Sequence, residues 1–228
     1  MPDAIRLFRF LNATAAIRSI ETTSFRVGRV SEFNDPFDWR FVLRNYVPGT
    51  ELLVQTVQEE TLRYLNSRFG VICFSDTLED PVLWSHYADH HRGVVLEVDH
   101  LKNDLLHPVI YTHERPVVDV ALLRRPEDRP SLLDAVKTML ARKSPGWSYE
   151  REYRVFADLS SCFVADGSYF LQIPKDFLKR VILGLRCPID EMYIRRSLDL
   201  AGFPEVEVAR AFDDNLSYQI RTKQFQVD

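Results

Sequence analysis

The run Trp147-Ser148-Tyr149-Glu150-Arg151-Glu152-Tyr153-Arg154-Val155-Phe156 alternates with a period of two, the pattern of an extended strand whose successive side chains point to opposite faces. On that reading Glu150, Glu152 and Arg154 share one face, while Tyr149, Tyr153 and Val155 surround Arg151 on the other. The strand is expected to pack on the aromatic side and to present two carboxylates and a guanidinium on the opposite side, which is where chemistry is sought. The same letters also fit a solvated face with an exposed ion pair of small energetic value, so other residues must decide.

The 228 residues are 46% hydrophobic and 27% charged, enough for a sizeable core, and no repeat, low-complexity tract or convincing linker divides them. A single domain over residues 1–228 is expected, with the proline-bearing stretch Leu123 to Pro130 as a surface loop. A net charge of −4 supplies no global positive field that would draw the chain to a nucleic-acid backbone or an anionic membrane, although a local basic groove stays open. Cys73, Cys162 and Cys187 are odd in number, far apart and without Cys-x-x-Cys spacing, which argues for reduced, buried thiols and against a disulfide framework or a cysteine zinc site. The amino terminus lacks a signal-peptide core and no run reaches membrane-spanning length, so a cytoplasmic protein without membrane association is expected.

Short strands are expected at Leu7 to Phe10, Ser24 to Gly28, Val71 to Phe74, Val94 to Val98, Tyr169 to Ile173, Arg180 to Leu183, Glu205 to Ala209 and Ser217 to Thr222. Helices are expected at Ala13 to Ser19, Gly49 to Arg68, Val82 to His90, Ser131 to Arg142 and Asp190 to Ala201. Asp80-Pro81 supplies an N-cap and a first-turn proline for the third of these, and Gly202 stops the last. Strands outnumber helices, a mixed α+β plan.

Two further segments concentrate groups that build sites. In Phe33-Asn34-Asp35-Pro36-Phe37-Asp38 a proline stiffens the loop and two phenylalanines anchor it, so Asn34 and Asp35 are held; a plain Asx-turn accounts for the same letters. In Cys73-Phe74-Ser75-Asp76 and Trp84-Ser85-His86-Tyr87-Ala88-Asp89-His90-His91-Arg92-Gly93 a serine at a strand end precedes a histidine-rich helix. Helical spacing places His86 and His90 on one face, but no suitably spaced third ligand accompanies them, and no metal site is expected. Trp84, Tyr87 and His91 fit either an aromatic wall facing a planar ligand or ordinary core packing. The scattered glycines exclude a Rossmann fingerprint and a P-loop, and no G-x-S-x-G elbow is present.

The ordered set Ser31 to Phe37, Phe74-Ser75 with Trp84 to Ala88 and His91-Arg92-Gly93, then Trp147 to Arg154 resembles the bacterial family called domain of unknown function 2971. More distantly, the order of elements is similar to that of ADP-ribosyltransferase-like proteins, which implies a mainly antiparallel split sheet with flanking helices and NAD as substrate. In that superfamily an opening strand carries a ligand contact, a second strand ends in a serine or aromatic, and a later strand presents a catalytic glutamate, often as Glu-x-Glu. The matching positions are Arg6-Leu7-Phe8-Arg9, Phe74-Ser75 and Glu150-Arg151-Glu152; the usual first-strand histidine or tyrosine and the Ser-Thr-Ser pattern of one branch are absent.

The resemblance implies that Glu152 stabilises an oxocarbenium-like transition state through the nicotinamide-side ribose and that Glu150 positions or deprotonates the acceptor. Ser75 would bond ribose or carboxamide, Trp84 or Tyr87 would stack on nicotinamide, Arg9 or Arg92 would neutralise diphosphate, His86 and Arg154 would complete the NAD-binding set, and Asn34 and Asp35 would line the acceptor side. The acceptor, whether protein, nucleic acid or small molecule, is left open. Two alternatives stand beside this: a binding module without turnover, and a nuclease-like effector with Asp35, Glu150 and Glu152 around a divalent ion.

Overall fold

The computed structural model describes residues 4–44, 47–101, 105–119 and 129–225, and the chain is α+β with a mixed, mostly antiparallel open sheet. Its strands are β1 (Ala4–Leu11), β2 (Ser24–Val27), β3 (Val42–Leu43), β4 (Phe69–Ser75), β5 (Val94–Leu101), β6 (Leu106–Pro108), β7 (Ile110–Tyr111) and β8 (Val117–Val118). There follow β9 (Arg142–Lys143), β10 (Glu152–Asp158), β11 (Phe163–Ala165), β12 (Ser168–Gln172), β13 (Leu178–Leu183), β14 (Glu207–Asp213) and β15 (Ile220–Gln224). The helices are α1 (Ala13–Glu21), α2 (Glu51–Arg68), α3 (Pro81–Tyr87), α4 (Arg129–Leu140) and α5 (Glu191–Ala201). No helix among the described residues is long and apolar enough to cross a membrane. The stretch Leu123 to Pro130 lies mostly outside the described residues; its last two open α4.

Eight strands run in the order β15-β14-β13-β5-β1-β4-β10-β6, with β13 and β14 the parallel pair, and β11-β12-β2 form a second sheet. The central strand β5 is buried on both faces, which is why Val94-Val95-Leu96 reads as a continuous apolar run and not as an alternation. A single core packs one face around Leu7, Leu96 and Val181 with Ile20 of α1 and Leu198 of α5, while Trp84, Val95 and Ile182 pack the other. The large sheet is continuous, so the split sheet is not present as such. Yet β1 and β4 register only at Phe8 opposite Ser75, whereas β10 and β4 pair over seven positions, and that single β1–β4 register position lies where the functional side chains gather.

The helix boundaries follow local chemistry. Side chains of Asn12, Asp80 and Asp190 accept from backbone N–H groups in the first turns of α1, α3 and α5, and Gly202 ends α5 at φ 83°. Helix α3 stops three residues short of the expected His90 because Asp89, His90 and His91 adopt φ of 45°, 54° and 68° and peel the chain off the helix axis. His86 and His90 therefore do not share a helical face. The charged run also departs from expectation: Pro145–Glu150 forms a 3-10 turn, Arg151 is left-handed, and the strand begins only at Glu152.

The turn after α3 is clamped to the sheet by close backbone approach. A Cβ on Gly93 would fall 2.1 Å from the Leu11 carbonyl oxygen, whereas one on Gly146 would meet nothing within 4 Å. Gly93→Ala is expected to destabilise the protein by about 1–3 kcal/mol, read as a lowered urea midpoint at unchanged slope, and Gly146→Ala to leave the midpoint in place. Equal midpoints for the two variants would show that this clamp does not hold α3.

Candidate functional site

Strand register sets Phe8, Ser75 and Glu152 side by side across β1, β4 and β10, with Cys73 beside Arg154 in the next row. Residues opposite one another in register point to the same face. On that face a 130 Å³ cavity is lined by Phe8 and Phe10 of β1, Cys73 and Ser75 of β4, and Glu152 and Arg154 of β10. Leu83 and Tyr87 of α3, the loop residues Phe33, Asn34 and Asp38, Lys143 of β9, and Glu150 from the 3-10 turn complete it.

Five of these residues form one buried charge cluster, and so the solvated-face reading fails. Arg154 is 1% exposed, with Asp38, Glu150, Glu152 and Lys143 all buried as well. Arg154 grips Glu152 with two parallel bonds of 2.8 and 2.9 Å and Asp38 with two of 3.1 and 3.2 Å, and also donates to the Leu140 carbonyl at the end of α4. Lys143 Nζ lies 2.6 Å from Glu150, 3.5 Å from Glu152 and 3.9 Å from Asp38. The Arg154 guanidinium lies 5.1 Å from the centre of the Phe33 ring and the Lys143 ammonium 4.7 Å from that of Trp147. Three carboxylates against two cations leave the cluster with one net negative charge.

The carboxylates are not equivalent. Burial alone would raise Glu152, but the charge and paired hydrogen bonds of Arg154, aided by Lys143, overcome it and hold the group at about 2. Burial raises Glu150 above the ordinary carboxylate range, and the nearby Lys143 does not fully offset it. Asp38 is likewise raised by burial, against the pull of Arg154. Lys143 would be lowered by burial, but the three carboxylates raise it and keep it charged. Tyr87 donates to Glu150 Oε1 and accepts from Asn34 Nδ2 at 3.1 Å; burial and Glu150 push the phenol up, so it stays protonated.

The structure thus brings together six of the expected site residues, Glu150, Glu152, Arg154, Ser75, Tyr87 and Asn34, and sets the others apart. Ser75 Oγ donates to the Glu150 carbonyl at 2.6 Å and accepts from Thr77 N–H, so it fixes the turn that delivers Glu150. Arg9 alternates to the opposite face of β1 from Phe8 and Phe10, where it covers the Phe25 ring and donates to the Arg26 carbonyl. Trp84 is fully buried: its indole N–H donates to the Leu78 carbonyl, and its ring supports Phe10 edge-on and stacks with His91, so the core-packing reading holds for Trp84, while Tyr87 lines the cavity. His86 Nδ1 pairs with the Tyr149 hydroxyl at 3.0 Å outside the lining, and Arg92 is exposed on the turn beyond α3.

Asp35 is buried, but its Oδ1 accepts from Phe37 N–H, which realises the Asx-turn and keeps it off the cavity wall. The acidic trio of Asp35, Glu150 and Glu152 is therefore not assembled; Asp38 takes the third place. Among the described residues no three His, Cys, Asp or Glu side chains are disposed to hold a metal ion.

Sequence reasoning missed Lys143, Asp38, Cys73, Phe8 and Phe10. Asp38 closed the loop motif already singled out, whereas nothing in Arg142-Lys143 marks one lysine as buried. Cys73 corrects the expectation of buried thiols: its side chain is exposed and opens onto the cavity, in the row of Arg154. Cys162 and Cys187 are free, the latter buried.

Residues 83–155 match the family described as protein of unknown function (DUF2971). No curated protein and no solved structure matches the chain. The DUF2971 match runs from α3 into β10, and so contains Tyr87, Lys143, Glu150, Glu152 and Arg154, while Ser31 to Phe37 and Phe74-Ser75 lie outside it. Its bounds enclose both cations of the cluster and two of the three carboxylates.

The depressed Glu152 makes acid stability a direct readout. A carboxylate held at about 2 when folded contributes stability above its unfolded value near 4.5 and loses it as pH falls between the two. Asp38 and Glu150, raised in the fold, act in the opposite sense and blunt this limb. Urea midpoints measured from about pH 6 down to about pH 2 are expected to fall for wild type and to fall less for Glu152→Gln. Parallel profiles would show that Glu152 is not held down by Arg154. Arg154→Met, which leaves Asp38 and Glu152 buried without their partner, is expected to cost about 3–5 kcal/mol.

Proposed function

We propose that this cavity is the active site of an ADP-ribosyltransferase-like enzyme that cleaves the nicotinamide–ribose bond of NAD and transfers the ADP-ribose to an acceptor. The observation that carries the reading is the pair of neighbouring glutamates held in different surroundings: Glu152 is clasped through both oxygens by Arg154, which holds it down, and Glu150 is bonded by Tyr87 and Lys143, with burial raising it. Two carboxylates pushed apart by their surroundings divide naturally into an electrostatic stabiliser and a proton-transfer group. The net negative cluster favours a cationic centre, which describes both the pyridinium of NAD and the oxocarbenium formed when it leaves.

The chemistry balances within these residues. The C1′–N bond breaks with its electron pair passing to the ring, and nicotinamide leaves neutral. Positive charge develops at C1′ and is stabilised by the Glu152 carboxylate. The acceptor O–H or N–H adds at C1′ and surrenders its proton to Glu150, whose Oε1 and Oε2 are oriented by Tyr87 and Lys143. Phe8, Phe10 and Phe33 supply apolar walls for a planar ring, and Asn34, which also holds Tyr87, reaches the same space. At 130 Å³ the cavity lies below the roughly 300–1,000 Å³ of sites for whole drug-sized ligands, so it suits the nicotinamide end and leaves the rest of NAD outside.

Glu150→Gln is the cleaner test, because Glu152 is interlocked with Arg154 and its loss also disturbs the fold. Wild type incubated with NAD is expected to release nicotinamide, and Glu150→Gln to lose about 10²–10⁴ of that rate with its melting temperature retained. The rate should decline toward acid at a pH above the ordinary carboxylate range, since a raised base is protonated earlier. No nicotinamide release from the wild type with any of water, a protein or a nucleic acid as acceptor would refute the proposal.

A further inference from the structure

Beside the carboxylate cavity lies a second one, of 290 Å³, and Lys143 stands in the walls of both. Its chemistry is the reverse of the first. Arg40, Arg115 and Arg142 line it against one carboxylate, Glu114. Among the described residues none of these three arginines pairs with an acidic side chain, although most arginines of the chain that make ion pairs do so at 3.1 Å or less. Arg40 is placed by a 2.9 Å bond to Gln58 and by the Trp39 ring beneath it, and Arg115 by the Phe37 ring 5.5 Å away. Phe37 itself is 63% exposed, an apolar surface left uncovered beside the cationic groups.

We infer that this basic cavity binds the diphosphate of the same ligand whose cationic ring enters the carboxylate cavity; the inference rests on the proposed function and names what holds the part of the substrate that the small cavity cannot contain. Three arginines lining one concavity supply the charge and the forked donors that phosphate oxygens take. A chain of net charge −4 gains no long-range pull on a polyanion, so the site is suited to a small phosphate ester captured at short range. Lys143, committed to Glu150 at 2.6 Å, acts as the partition between the two charge environments. The role given to Arg9 and Arg92 by resemblance passes to residues whose cavity shares Lys143 with that of the glutamates.

Calorimetric titration with pyrophosphate, ADP-ribose and nicotinamide separately tests this, using wild type, Arg115→Ala, Arg142→Ala and Glu150→Gln. Pyrophosphate and ADP-ribose should bind the wild type and bind each arginine variant about tenfold more weakly. Arg115 is exposed, so Arg115→Ala carries the test even where Arg142→Ala perturbs β9. Failure of both phosphate compounds to bind at millimolar concentration, or equal binding by wild type and both arginine variants, overturns the inference. Nicotinamide binding lost in Glu150→Gln together with either of those results leaves the proposed function standing without this subsite. Arginine-dependent pyrophosphate binding without nicotinamide release from NAD upholds the subsite and removes the proposed reaction.

Discussion

Arg154 ties together parts of the chain that have no other reason to meet. From β10 it reaches Glu152 on its own strand, Asp38 in the loop after β2, the last carbonyl of α4 and the face of Phe33. The ties to Glu152, Asp38 and Leu140 satisfy the donors of a guanidinium that is almost wholly enclosed, and the enclosure is tolerable only because all of them are made together. Loss of one partner would leave a charge stranded in a medium where desolvation of an ion is penalised by several kcal/mol. The loop from Phe33 to Asp38, α4 and the start of β10 are thereby fixed relative to one another, and the cavity takes its shape from that fixing.

Such a cluster is not explained by stability, since well-packed apolar residues in the same volume commonly serve a fold as well or better. What it does provide is an asymmetry between two adjacent glutamates. Glu152, two residues before Arg154 on the strand, is clasped from both oxygens; Glu150, delivered by a 3-10 turn and a left-handed Arg151, meets only Lys143 and Tyr87. The change from helical turn to strand between the two glutamates is what assigns them different electrostatic surroundings. Lys143 stands in the walls of both this negative pocket and the arginine-lined cavity.

The parts of this arrangement that were legible in the sequence are those governed by local chemistry. Asp80-Pro81 and Asp190 cap their helices, Gly202 ends one, and the Asx-turn at Asp35 forms as its letters suggest. Tyr87, Asn34, Ser75, Glu150, Glu152 and Arg154 were recognisable as site candidates because they sit in compact motifs. Lys143 and Asp38 were not, because burial of a charge is decided by what distant segments bring to it, and Arg154 reaches Asp38 across 116 positions of chain. The strand period misled at Glu150, where Pro145 favours a turn start and Arg151 adopts a conformation no alternation rule anticipates. Arg9 was misplaced for a related reason: its neighbours Phe8 and Phe10 look like core residues, and only the placement of helices over the sheet shows which face holds the site.

The fold shifts Glu150 and Glu152 in opposite directions from the ordinary carboxylate range. Site-resolved carboxyl carbon NMR, with glutamate labelled and Glu150→Gln and Glu152→Gln used for assignment, measures this directly. Glu152 is expected to remain ionised down to about 2 while Glu150 takes up its proton above the ordinary carboxylate range. Superimposed titrations of the two groups near 4.5, the ordinary value, would contradict this.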